Sequence, residues 1–221
     1  MSAGARTGRA SPQIWDAYLT ERDRAVFNAA GYGKRGDFPR RPALLLTGCE
    51  ISEIESDHAP HTAPDAICQV ARLARAARQA KLPVIHVVAT TNPPSHDDVA
   101  PELAPVQSDI MLARHAPSAF FETDLMSFLN LLKADGIILA GGQTADAIRA
   151  TAIDAFSLNM RSVIPIEACF DRWDSSHAIS LFELQAKHAE VLPIAEIETV
   201  MHALPCGLFD LPAGDTKARR V

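Results

Sequence analysis

Residues 135–159 read DGIILAGGQTADAIRATAIDAFSLN. The first eight, DGIILAGG, form an apolar run that ends on the paired glycines Gly141 and Gly142, the pattern of a strand buried on both faces. Thr144 then starts a helix expected to run to about Asn159. A doubly buried strand passing directly into a helix is the repeating unit of a parallel sheet with helices packed on it.

The same alternation extends in both directions. Upstream lie a strand at RPALLLTG (41–48), a polar loop over 51–63, and a helix over 64–81 with Ile67, Val70, Ala71, Leu73 and Ala77 at helical spacing. PVIHVVA (83–89) is a strand, TTNPPSHDDVAPELAP (90–105) a proline-rich loop and DIML (109–112) a short strand. Thr123 is placed to cap a helix through Leu132. Downstream come a strand at RSVIPIEA (161–168), a helix from Ser175 to His188, a strand at AEVLP (189–193) and a last helix at IAEIETVMHAL (194–204).

These elements predict one α/β domain over 41–204, a parallel sheet flanked by helices on both faces in Rossmann-like fashion. A helical arm precedes it over 14–40, with Leu19, Ala25, Val26 and Ala29 at helical spacing within Ile14–Gly33. Residues 1–13 and 205–221 read as polar tails, the first expected to be disordered. In such open sheets ligands sit at the carboxyl ends of the strands. That directs attention to Gly48 and Glu50, to His86 onward, to Arg114 and to the Gly141–Ala147 turn.

Composition narrows the partners. The 221 residues are 48% hydrophobic and 22% charged, with a net charge of −6, an acidic balance that argues against nucleic acid or an acidic membrane as partner. No apolar run approaches the roughly 20 residues that span a bilayer. Cys49, Cys68, Cys169 and Cys206 form no CxxC pair and read as reduced thiols, so a cytoplasmic protein is expected.

Several stretches together resemble the isochorismatase-like cysteine hydrolases. RPALLL is similar to the family's opening strand, PSAFFETDL (117–125) to its SAFxxTxL segment and LAGGQTADAIRATAIDAFSL (139–158) to its signature strand–turn–helix. EACFDRWDSSHAISLFELQAKHAEV (167–191) is similar to its closing region. IWDAYLTERDRAVFNAAGYGKRGDF (14–38) looks most like the N-carbamoylsarcosine amidohydrolase branch. The likeness covers about residues 14–204.

The resemblance implies an amidohydrolase site in which an Asp ends the first strand, a Lys stands four residues before the Ser of SAF, and a Cys lies in the first turn of the signature helix. There the thiol gains from the helix N-terminus, the Asp takes its proton, and the resulting thiolate attacks an amide carbon. Carried over position by position, the Asp falls on Gly48, the Lys on Arg114 and the Cys on Ala147. Thr144 before Ala147 and RATAIDAF after it hold the register, and no cysteine lies between Cys68 and Cys169. The expectation is therefore a family member without its Asp–Lys–Cys triad, unable to hydrolyse amides covalently. It would keep a small-molecule pocket or serve as an oligomer partner of itself or of an active relative. The family also implies oligomers, and often a cis peptide at Gly142–Gln143.

The remaining polar groups admit more than one reading each. Glu50, two residues beyond Gly48, should face the pocket, as a general acid or base, as an ion-pair partner of Arg114 or as a solvated loop carboxylate. Arg114 can grip a ligand carboxylate or pair with Glu50 or Asp146. His115 can face either way. Gln143, Asp146 and Ala147 complete the expected ligand-binding set, and Thr144 reads as the helix N-cap. Acid–base chemistry through Glu50, Arg114 or His115 on a small amide, carbamoyl or vinyl-ether substrate is the alternative activity. Cys49 and Cys169 read as packing thiols. His58, His61, Asp65, His96, Asp97 and Asp98 match no metal-ligand spacing, so neither metal nor cofactor is expected.

Overall fold

A computed structural model describes residues 13–33, 36–55, 59–60, 62–90 and 93–209. Seven strands among them form one parallel sheet: β1 (Pro42–Thr47), β2 (Val84–Ala89), β3 (Ile110–Arg114), β4 (Gly136–Gly142), β5 (Arg161–Pro165), β6 (Cys169–Phe170) and β7 (Glu190–Leu192). Their order is β3-β2-β1-β4-β5-β7, with β6 paired to the end of β4. The predicted α/β class stands.

Strand side chains alternate between two layers. Leu44 and Leu46 of β1, with Ile138 and Ala140 of β4, enter the layer covered by α3 (Ala63–Gln79) and α7 (Ile194–Ala203). Ala43 and Leu45, with Ile137 and Leu139, enter the opposite layer under α4 (Leu125–Leu132), α5 (Arg149–Ser157) and α6 (Asp174–Lys187). This alternation is why the strands are apolar at every position. Each buried leucine contributes about 1.5–3 kcal/mol relative to an exposed one.

The topology fixes where a ligand can sit. From β1 the chain moves outward to β2 and β3, then returns to place β4 on the other side of β1. The carboxyl ends of β1 and β4 thus flank the switch point, with Thr47 opposite Gly141.

Four local expectations change. Residues 51–63 are not all loop, because Ile51–Ile54 form one helical turn, α2, and α3 begins at Ala63. The arm's helix, α1, covers only Glu21–Ala30, capped by Thr20, whose hydroxyl accepts from the Asp23 N–H. Residues 14–18 are a turn, with Trp15 buried against Phe182 of α6 at 6.2 Å between ring centroids. Phe27 stacks on the same ring at 5.0 Å, so the arm does pack on its own domain. Beyond α7, Phe209 is buried and lies 4.7 Å beneath the Arg41 guanidinium, while residues 210–221 are outside the described set.

Candidate functional site

The carboxyl edge of the sheet is built from four strand ends. After Thr47 the chain turns through Gly48 at φ +64°, a left-handed conformation that favours glycine. A Cβ at Gly48 would lie 1.7 Å from the carbonyl oxygen of Gly142, so backbone fills the crevice at the switch point. The Gly142–Gln143 peptide is cis, as the resemblance suggested. Cys49 is buried; its thiol donates to the Thr47 carbonyl at 3.5 Å, and burial pushes it well up from the usual thiol range. Cys169 is likewise buried and pushed up to about 12. Both are packing thiols.

Glu50 is 3% exposed. Its Oε1 accepts the Ala89 N–H at 2.5 Å, tying the end of β1 to the end of β2, while Oε2 is buried without a hydrogen-bond partner. Burial raises its pKa above the usual carboxylate range, against the opposing pull of the Ala89 hydrogen bond and the Arg114 charge. The strand period sends Glu50 inward, but to a buried slot beside β2 rather than into an open pocket.

Arg114 ends β3 opposite Ala89. Its Nη1 donates to the Ala116 carbonyl at 3.0 Å and its Nε is buried without a partner. Among the described residues it makes no ion pair, so neither pairing expected for it, with Glu50 or with Asp146, is formed. It lines an open cleft of about 640 Å³ with Ala89, Thr90, His115, Pro117 and Asp146. That cleft joins the ends of β2 and β3 to the turn after β4. A more enclosed apolar groove of about 470 Å³ lies elsewhere, between α1 and α6, away from the strand ends.

The turn after β4 differs from the expected capped helix. Thr144–Ile148 form a π-helical turn before α5, with Gln143 rather than Thr144 in the capping position. The Thr144 hydroxyl donates to the Phe170 carbonyl at 3.0 Å and pairs with His177 Nδ1 at 2.8 Å. The carbonyl can only accept, so His177 carries its proton on Nδ1 and donates to Thr144. Burial holds His177 below the usual histidine range, opposed by the charges of Asp171 and Asp174. The buried Asp171 accepts the Ala145 N–H at 2.6 Å and the Trp173 N–H at 3.4 Å. Asp171 and His177 both lie in the quoted closing stretch, and only the fold brings them to this turn.

Of the expected ligand-binding residues, Arg114, His115 and Asp146 share the cleft, while Glu50 and Ala147 are buried and do not line it. Gln143 is drawn aside, its Nε2 donating to Glu53 of α2 at 2.9 Å, where Arg172 also reaches. His86 belongs to a separate buried network, in which Asp109 accepts from Arg78 at 2.5 Å and meets His86 Nε2 at 3.2 Å. Among the described residues no group of three His, Cys, Asp or Glu is arranged to hold a metal; His58 and His61 lie outside them. No helix among the described residues is long and apolar enough to cross a membrane.

The model of the isochorismatase domain matches residues 42–196. A maleamate amidohydrolase from Pseudomonas putida is 29% identical over 73% of this chain and 87% of its own. An N-carbamoylsarcosine amidase from Arthrobacter is 23% identical over 82% of this chain and 79% of its own. The crystal structure of a cysteine hydrolase from Pseudomonas syringae superposes with a TM-score of 0.71 at 19% identity, over 79% of this chain and 98% of that one.

Proposed function

The chain belongs to the isochorismatase family, and from that premise we propose that it binds a small carboxylate-bearing molecule in the Arg114 cleft without forming a covalent intermediate. One observation carries the reading: the Gly142 carbonyl stands where any side chain on Gly48 would begin. Position 48, where the resemblance places the proton-accepting Asp, thus carries no carboxylate, and any side chain there would have to displace the Gly142 peptide. Ala147, where the resemblance places the thiol, has no nucleophilic atom and is buried. Loss of the nucleophile alone costs a factor of about 10⁶ in turnover in the best-measured triad.

Arg114 suits a carboxylate because a guanidinium offers a planar fork, and among the described residues this one forms no salt bridge that a ligand would have to displace, its nearest acid being the buried Glu50. The relatives named for maleamate and N-carbamoylsarcosine supply the test compounds. Purified protein is incubated with each, and with nicotinamide, while released ammonia and intact mass are followed. The expected result is no ammonia burst and no mass adduct. A burst stoichiometric with protein, together with a trapped acyl adduct, overturns the proposal.

A second reading rests on Glu50. A carboxyl that holds its proton above the usual range, with one oxygen unpartnered, can serve as a general acid once the strand ends part to admit substrate to its buried slot. Its signature is slow ammonia release without an adduct, abolished in Glu50→Gln. Self-association is a further part of the proposal, because Ile14, Tyr18 and Val26 remain exposed after the arm has docked. A monomer in light scattering rejects it.

A further inference from the structure

We propose that the cleft takes a zwitterion, a small amino carboxylate whose carboxylate lies on Arg114 and whose ammonium lies on Asp146; this rests on the carboxylate reading above. The two residues line the same cleft from different elements, Arg114 at the end of β3 and Asp146 in the turn after β4. They are opposite in charge yet form no ion pair with each other, so more than 4.0 Å separates their charged atoms. Neither forms a salt bridge with another described residue, although the Arg114 charge also acts on the buried Glu50.

The groups between them carry no competing charge of fixed sign. Ala89 and Pro117 give small apolar surface, Thr90 a hydroxyl and His115 an exposed imidazole. A simple carboxylate would satisfy Arg114 and leave Asp146 to solvent. A simple amine would do the reverse. A molecule with both groups at the matching separation satisfies both ends and spans the gap of more than 4.0 Å between them. The Arg114 Nε is buried and unpartnered, and its Nη1 is bonded to the Ala116 carbonyl, so the terminal edge of the guanidinium is the part that can meet a ligand in the cleft. Asp146 is exposed, and its oxygens accept no hydrogen bond among the described residues.

The test measures binding by calorimetry at low salt with a ladder of amino carboxylates: glycine, β-alanine, γ-aminobutyrate and 5-aminopentanoate. Each is set against the carboxylate and the amine of matched length. In the wild type, one rung should bind about fivefold or more tightly than its matched carboxylate, as one charge-assisted contact in a partly exposed site allows. Asp146→Asn should erase that preference, while simple carboxylates bind as tightly or more tightly because a negative charge has left the cleft. Arg114→Gln should weaken both about tenfold or more, with Arg114→Lys intermediate because the charge stays and the fork goes. Asp146 is exposed, so its variant is expected to fold, and thermal melts check this. Equal affinity for every amino carboxylate and its matched carboxylate overturns the zwitterion but spares the carboxylate cleft. Absence of binding by all carboxylates overturns both.

Discussion

The carbonyl oxygen of Gly142 lies 1.7 Å from the site of a Cβ on Gly48, so the ends of β1 and β4 meet backbone to backbone at the switch point of the sheet. Gly48 also has φ +64°. Gly48→Ala should therefore destabilise the protein by about 3 kcal/mol, from left-handed strain together with displacement of the Gly142 peptide. Denaturant unfolding measures it, and an unchanged midpoint refutes the contact. The triple variant Gly48→Asp, Arg114→Lys, Ala147→Cys should gain no amidase activity, because an Asp at position 48 displaces the Gly142 peptide; ammonia release from maleamate checks this.

Glu50 gives a stability dependence of definite sign. Its folded pKa is raised, chiefly by burial, above the unfolded value of about 4.3. Between those two values the folded state binds more protons than the unfolded one, so this residue's contribution to stability falls as pH rises through the window. Glu50→Gln keeps an acceptor for the Ala89 N–H and removes the charge. The stability of the variant relative to wild type should improve steadily from pH 4 upward and level off above the raised pKa. Parallel pH profiles for the two proteins contradict this.

Asp171 and His177 hold the π-helical turn. Asp171→Ala orphans the Ala145 N–H and should cost about 1–3 kcal/mol. The folded pKa of His177 is lowered by burial, so its contribution is fully present above the unfolded value of about 6.5 and is lost as pH falls toward the folded one. In His177→Gln the loss of stability between pH 7 and 5 should be smaller than in wild type. An identical acid slope rejects the assignment.

The arm is anchored by aromatic packing. Trp15 is buried against Phe182, and Phe27 shares that ring. Trp15→Ala removes a buried aromatic, a change of about 3–5 kcal/mol in a well-packed site. It should speed proteolytic cleavage within residues 13–33 while the sheet stays protected. An unchanged cleavage rate means that the arm is held elsewhere.

The N-terminal half of the signature helix shows where local signals stop. Thr144 directly before a helical run reads as an N-cap, yet its hydroxyl turns to Phe170 and His177. Those partners are 26 and 33 residues away in sequence, and only the pairing of β6 with β4 brings them near. The pairing expected between Arg114 and Glu50 fails for a similar reason. Glu50 is taken by the Ala89 N–H at the end of β2, the strand between them.

The sequence by itself determined the α/β class, the alternation of strands and helices, and the residue types at Gly48, Arg114 and Ala147. Those features follow from side-chain period and local composition, which a chain carries whatever its distant contacts. The tertiary structure alone decided that Gly142 closes the space beside Gly48, that Glu50 is buried with an unpartnered oxygen, and that Arg114 and Asp146 share a cleft without pairing. These depend on strand order and register, which bring residues far apart in sequence within a few ångströms, and no local period encodes such distances.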